Sequence, residues 1–252
     1  MEIQTFGTGR RMDECLRLLS HFDKKCAYER LLLLPIPTSR DGVHVTGAEL
    51  VLEELLADVG EGALVVGYGL PSEIAERAVV QGAAVYDAAE DEEFLVENAQ
   101  ITARGALAEL LTLSDRDLTE LSIGIVGYGR IGSELLRLLL FLGARVRVYS
   151  RRLATRLELS AMGASTAESP TVESIRDLDV LVNTAPAPLL TAEELVSLPE
   201  RLIIVDLASG VNFPDSPKVK KLPSIPEKMY PLTAGGVYFR HIAAVLSGGE
   251  AR

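Results

Sequence analysis

Cysteine is scarce in this chain. Cys15 and Cys26 are the only two among 252 residues, so no disulfide framework is implied. Cys15 lies in an apolar helical pattern and is expected to be a buried thiol. Histidine is also sparse: His21, His44 and His241 are scattered, and none has the spacing of a metal-ligand set. No apolar run approaches the roughly 18 to 20 residues that a membrane span needs. The opening Met1-Glu2-Ile3-Gln4 lacks the basic region and apolar core of a secretory signal. A cytoplasmic protein is expected. Positive charge is in the minority, 25 Lys and Arg against 36 Asp and Glu, for a net charge of −11. That balance disfavours nucleic acid or an anionic membrane as the main partner. It leaves room for a small anionic ligand, because a pocket can be locally basic. Neither an internal repeat nor a low-complexity segment stands out.

What is present is a globular composition, 48% hydrophobic and 24% charged. The length suits one large or two modest domains. Apolar strand candidates at Arg30–Leu34, Ala63–Val66 and Ala84–Tyr86 alternate with helical patterns at Arg11–Ser20, Ala48–Ala57 and Ser72–Gln81. Such alternation predicts a parallel sheet with helices on its faces. A long helical pattern, Glu92–Leu113, reads as a connector. A second alternating half follows. Its strands are predicted at 121–126, Arg145–Tyr149, Asp179–Asn183 and Leu202–Asp206, and its helices at Ile131–Leu142, Leu153–Met162 and Ala192–Ser197. The Ile131–Leu142 helix carries leucines on nearly every face, and Gly143 stops it. A Pro-rich stretch, Pro214–Pro231, precedes a last helix at Thr233–Leu246. The predicted domains are residues 1–115, completed by a returning C-terminal helix 233–252, and residues 116–232.

The sharpest motif is Gly127-Tyr128-Gly129-Arg130-Ile131-Gly132. G-x-G-x-x-G alone is weak, but here it follows a strand and opens a helix, the context of a dinucleotide-binding Rossmann loop. Gly127 permits the tight turn, Gly129 lets the backbone approach the pyrophosphate, and Gly132 lets helix and strand pack closely. The helix N-terminus offers N–H donors and partial positive charge to phosphate. At the end of the next strand an NAD enzyme usually carries an acid for the ribose 2′-OH. This chain has Tyr149-Ser150-Arg151-Arg152 instead. Ser150 can donate to a 2′-phosphate, and Arg151 or Arg152 can pair with it. NADP(H) is therefore favoured over NAD(H). The alternative is that these arginines only solvate a helix start. Asn183, Thr184 and Ser209 stand at two further strand ends, where a nicotinamide would lie, and Asp206 is read as orienting a backbone turn or the carboxamide, or as a loop cap. Thr233 reads as the N-cap of the last helix, near the cofactor. No catalytic constellation can be assembled from the sequence. A Ser-His-Asp arrangement has no support.

Taken together, Val182-Asn183-Thr184-Ala185-Pro186, Val205-Asp206-Leu207-Ala208-Ser209 and Pro231-Leu232-Thr233-Ala234-Gly235 make the chain resemble the family of dipicolinate synthase A subunits from spore-forming bacteria. The Rossmann loop and the Ser-Arg end of the second strand agree. So do Asn98, Thr102 and Gly105, within a family segment N-x-x-P-T-x-E-G. The resemblance implies an NADP(H)-dependent oxidoreductase of dipicolinate biosynthesis in sporulation, converting dihydrodipicolinate to dipicolinate by hydride transfer. It implies a partner, the flavoprotein-like B subunit. It also implies the architecture of the 2-hydroxy acid dehydrogenases: a Rossmann NAD(P)-binding domain plus a smaller flavodoxin-like α/β N-terminal domain. Departures are Ile101 for Pro, Arg104 for Glu, Gly7-Thr8-Gly9-Arg10-Arg11 for G-G-D-x-R, and Gly210-Val211-Asn212-Phe213 for Arg-Pro-Gly-Gly. These leave two other readings open: a divergent paralogue acting on another small acid, and a non-catalytic NADP(H)-binding subunit. Arg11, Arg104 and Arg240, the basic residues nearest the motifs, are candidates to hold a small dicarboxylate substrate. A homodimer is expected, with the Leu-rich helix as one face that a second copy could cover.

Overall fold

The computed structural model describes residues 1–23 and 26–249. The chain forms two compact units, one of residues 1–98 with 226–252 and one of residues 99–225. The division falls inside the long helix, at Asn98–Ala99, rather than after it.

The first unit holds strands β1 (Glu2–Thr5), β2 (Arg30–Leu33), β3 (Ala63–Gly67) and β4 (Ala84–Asp87). They form one parallel sheet in the order β1-β2-β3-β4. Leu31, Leu32 and Leu33, and Ala63 through Val66, are all buried. Continuous apolar runs are what a parallel sheet covered on both faces demands. The edge strand β1 escapes sequence reading because it is four residues long and carries one apolar residue, Ile3. Helices α1 (Arg10–Leu19), α2 (Leu52–Leu55) and α3 (Ser72–Val80), the start of α4 (Glu92–Leu110), and α10 (Pro231–Leu246) complete the unit. The helix expected over 48–57 shrinks to α2. Gly47 holds φ at +80°, and Ser39–Val45 and His44–Val51 form antiparallel bridges instead. α1 and α10 pack closely, and a Cβ on Gly235 would meet the Arg11 carbonyl oxygen at 2.6 Å. Cys15 is buried, as its pattern suggests, and burial pushes its thiol up to about 12.

The second unit holds β5 (Ser122–Val126), α5 (Arg130–Phe141), β6 (Arg145–Tyr149), α6 (Leu153–Ala161), β7 (Ser165–Ala167), α7 (Val172–Ile175), β8 (Val180–Asn183), α8 (Ala192–Ser197), β9 (Ile203–Asp206) and β10 (Val219–Lys221). The strand order is β10-β9-β8-β5-β6-β7, all parallel. This is the doubly wound Rossmann order, which reverses direction between β5 and β8. One face buries Ile123, Ile125, Val146 and Val148 against Leu135, Leu136 and Leu139 of α5 and Ala103 and Ala106 of α4. The other buries Tyr149, Leu181 and Ile204 with Leu195 of α8 and Phe213. The period-2 alternation along β5 and β6 sorts these residues between the faces. Within the Pro-rich stretch the chain still forms β10 and the short helix α9 (Ile225–Met229). Among the described residues no helix is long and apolar enough to cross a membrane.

Candidate nucleotide site

The topological switch point of a doubly wound sheet leaves a crevice beyond the strand ends. A cleft of about 610 Å³ lies there. Its walls are the β5–α5 loop (Val126 to Gly129), the end of β6 (Tyr149 to Arg152), Thr155 of α6, Glu168 to Pro170 after β7, and Ala185 with Ala187 to Leu189 after β8.

The glycines of the loop take the conformations that their spacing predicts. Gly127 has φ +94°, where an L side chain is strained. A Cβ on Gly132 would stand 2.3 Å from the Gly127 carbonyl oxygen. Gly129 is the N-cap of α5, with open space where a Cβ would project. No side chain caps α5 and no acid occupies its first turn. The amides of Ile131 and Gly132 are among the first N–H groups of this helix, which have no intrahelical acceptor. An open glycine face, an uncapped helix and an adjoining cleft fit a dinucleotide pyrophosphate.

Thr184 acts beneath this loop. Its Oγ1 donates to the Val126 carbonyl at 2.9 Å and lies against Gly127 and Gly132. Asn183 and Asp206 are not among the residues that line this cleft, and Asp206 accepts from the Ala208 amide at 3.3 Å, holding the turn after β9. Both are buried, and Asn183 Nδ2 donates to Asp206 Oδ1 at 2.8 Å. Asn212, which the sequence did not single out, donates to both Asp206 oxygens at 3.3 and 3.2 Å and to the Ser209 carbonyl at 3.2 Å. Asn183 Oδ1 accepts from the Ala185 amide at 3.0 Å. The network fixes the loops after β8 and β9. Ser209 is exposed and meets the network only through its carbonyl.

At the end of β6, the Ser150 amide continues the sheet to the Ala167 carbonyl at 3.0 Å. Arg156 Nη1 donates to the Ser150 and Arg151 carbonyls at 2.7 and 3.0 Å, which shapes the turn. Arg151 and Arg152 are exposed, and among the described residues neither forms an ion pair. α6 starts from Arg152 with no side-chain cap and no acid in its first turn. Among the described residues the one acid lining the cleft, Glu168, follows β7 rather than β6. Sequence reading missed Thr155, whose signal was its place in the first turn of a helix that follows the Ser-Arg-Arg end.

The remaining predicted residues are not among those that line this cleft. Thr233 is exposed inside α10, whose N-cap is Tyr230 with Pro231 in the first turn, so the N-cap expectation is corrected. Pro supplies no N–H and suits a helix start, which moved the boundary upstream. Arg240 pairs with Glu97 at 2.8 Å on the surface of the first unit. Arg104 is exposed on α4 in the second unit, close enough to Glu134 to favour that carboxylate's charge. Arg11 is buried in the first unit.

Residues 94–213 match the family model "D-isomer specific 2-hydroxyacid dehydrogenase, NAD binding domain". Over 229 residues the chain is 26% identical to the A subunit of dipicolinate synthase from Bacillus subtilis (strain 168), covering 86% of this chain and 77% of that one. The chain is a relative of the dipicolinate synthase A subunit. The crystal structure of the dipicolinate synthase A subunit from Bacillus halodurans superposes with a TM-score of 0.79 at 23% identity, covering 98% of this chain and 97% of that one. The A chain of dipicolinate synthase from Bacillus subtilis gives 0.77 at 20% identity, covering 98% and 96%. These two likenesses carry the fold. The second unit is thus a nicotinamide-dinucleotide domain of the dehydrogenase kind.

Proposed function

We propose that this chain is a cytoplasmic NADP(H)-dependent oxidoreductase that takes dihydrodipicolinate to dipicolinate, as its relative's name suggests. The observation that carries the cofactor choice is the end of β6. Ser150, Arg151 and Arg152 line the same cleft as the phosphate loop, and no carboxylate stands at that strand end. Two unpaired guanidinium groups and a hydroxyl suit a 2′-phosphate, whereas a diol binds best to an acid. Ser150, Arg151 and Arg152 then hold the 2′-phosphate, Gly127 through Gly132 hold the pyrophosphate, and the Asn183–Asp206–Asn212 network fixes the loops beside them. A bound NADP⁺ would supply the hydride acceptor for the dihydropyridine ring, whose oxidation would also release one proton to solvent. The chain's part is to bind and orient.

By analogy with the subunit naming of its relative, we read the partner to be a second subunit of flavoprotein-like kind. We also read a homodimer in which a second copy covers the exposed Phe141 and Leu142 at the end of α5; sedimentation of the purified chain checks it, a monomer overturning it. The reaction test mixes the chain, with and without the second subunit, with dihydrodipicolinate and either NADP⁺ or NAD⁺, and follows the reduced nicotinamide. Faster reduction of NADP⁺ is expected. Equal or faster reduction of NAD⁺ overturns the cofactor choice. Turnover of another small acid alone favours a divergent paralogue, and tight NADP(H) binding with no turnover favours a binding subunit.

A further inference from the structure

The first unit contains a second glycine-rich strand-to-helix turn. Gly7 and Gly9, between β1 and α1, hold φ of +89° and +152°. Gly9 is the N-cap of α1, and no side chain of the α1 start caps the helix. This turn lies beyond the carboxyl end of β1. The helix start is not empty. The Glu227 carboxylate, from α9, sits on it and accepts from the Arg11 amide at 3.3 and 3.2 Å. A Cβ on residue 9 would stand 2.7 Å from Glu227 Oε1, so the glycine admits the carboxylate.

Arg11 supplies the second, independent observation. Its side chain is 5% exposed, and its Nε is buried with no hydrogen-bond partner. Nε lies 3.8 Å from the same carboxylate, beyond hydrogen-bond reach. Burial lowers the Arg11 guanidinium's pKa, and Glu227 only partly opposes it. A buried guanidinium with an unpaired donor is costly unless an anion completes it. Glu227 completes it poorly: its amide contacts are long, its Arg11 contact is incomplete, and its side chain remains 32% exposed.

We propose that the N-terminus of α1 together with Arg11 is a carboxylate-binding site, and that Glu227 occupies it as an internal carboxylate which an acidic small molecule displaces. The proposal deepens the functional reading by giving one carboxylate of the substrate a seat, and it rests on that reading only for the identity of the acid. Arg11 forms the anchoring contact, the α1 amides add donors, and Glu227 acts as a competitor from the same chain.

The test is calorimetric titration of the full chain with pyridine-2,6-dicarboxylate, with inorganic phosphate as a second anion. Glu227→Gln keeps the shape and removes the competing charge. It is expected to tighten dicarboxylate binding about tenfold or more, the scale of one charge-assisted hydrogen bond. Arg11→Gln is expected to weaken it by at least a similar factor, and the double variant to bind no better than Arg11→Gln. Because Arg11 is buried, circular dichroism checks that variant's fold, and Glu227→Gln carries the test alone by predicting a gain. Dicarboxylate affinity that is indifferent to residue 227 overturns the proposal. So does a site that takes phosphate with this dependence and ignores the dicarboxylate. NADP⁺ titration of the same variants separates the two claims. Loss of NADP⁺ binding or reduction in the unaltered chain sinks the functional reading, whereas an indifferent residue 227 sinks only the carboxylate site.

Discussion

Each unit begins a helix from a glycine N-cap, which has no side chain of its own to cap the first turn, and the two helix starts differ in what faces them. In the second unit, α5 meets open space at Gly129 and no acid in its first turn. In the first, α1 carries Asp13 in its first turn and has Glu227 seated on it. A helix start attracts anions either way. The difference teaches that glycine spacing prepares such a site, while a residue distant in sequence decides whether it stands open. Glu227 lies 216 positions from Arg11, so no local motif reveals it.

The comparison breaks most sharply at Gly132. An alanine there would place its Cβ 2.3 Å from a backbone oxygen of Gly127, which has no flexible end to move. The expected cost is about 3 kcal/mol of stability, the upper part of the overpacking range. NADP(H) affinity should fall at least about a hundredfold. Gly129→Ala is the informative contrast. Its Cβ meets nothing within 4 Å and its φ of −93° suits alanine. Stability should hold while affinity drops, because that Cβ intrudes only on the ligand's side. Urea unfolding and calorimetry on the two variants check both. Equal destabilisation would show that Gly129 supports the fold and does not keep a binding surface clear.

Asp206→Ala comes next. It removes the acceptor of the buried Asn183 Nδ2 and leaves the buried Asn212 Nδ2 only its carbonyl contacts. About 3 kcal/mol should be lost, again read by urea unfolding. The fold's outline was legible from the sequence, but this network was not. Apolar runs announced β2, β3, β5, β6, β8 and β9, because a covered parallel strand needs them. β1, β7 and β10 are three or four residues long and carry polar side chains, so no period could mark them. At the site, the phosphate loop and the Ser-Arg-Arg end were legible because backbone geometry and charge fix residue type there. Asn183 and Asp206 were legible as polar residues at strand ends. Their direction was not, since either an inward or an outward amide satisfies the same sequence.

Charge at the end of β6 sets the next effect. Arg151→Ala should weaken NADPH binding about tenfold and leave NADH binding unchanged, as expected for one charge-assisted contact to phosphate. Removing Arg152 as well should deepen the loss, and both losses should shrink in high salt. Equal loss for both cofactors would place the arginines on the pyrophosphate instead. Glu168 opposes them in the same cleft. Glu168→Gln should tighten NADPH binding about threefold, the scale of an exposed charge interaction.

The smallest effect concerns a carboxylate that the first unit uses for its own helix. Asp91 accepts from the Phe94 amide at 3.1 Å at the start of α4, from the Tyr86 hydroxyl at 2.7 Å, and engages His241 Nδ1 at 2.8 Å. Burial works against its charge, yet these hydrogen bonds together hold the carboxyl below its ordinary value. A carboxyl depressed in the folded state stabilises the fold above its unfolded pKa of about 3.9. That stability is lost as pH falls through the lower, folded value. The difference in unfolding free energy between the unaltered chain and Asp91→Asn should therefore be full above about pH 5 and shrink below about pH 4. A difference that stays constant with pH would mean that Asp91 contributes shape and not charge. Asp91 and Glu227 would then differ in kind: one a neutral helix cap, the other a charge held where an acidic ligand can replace it.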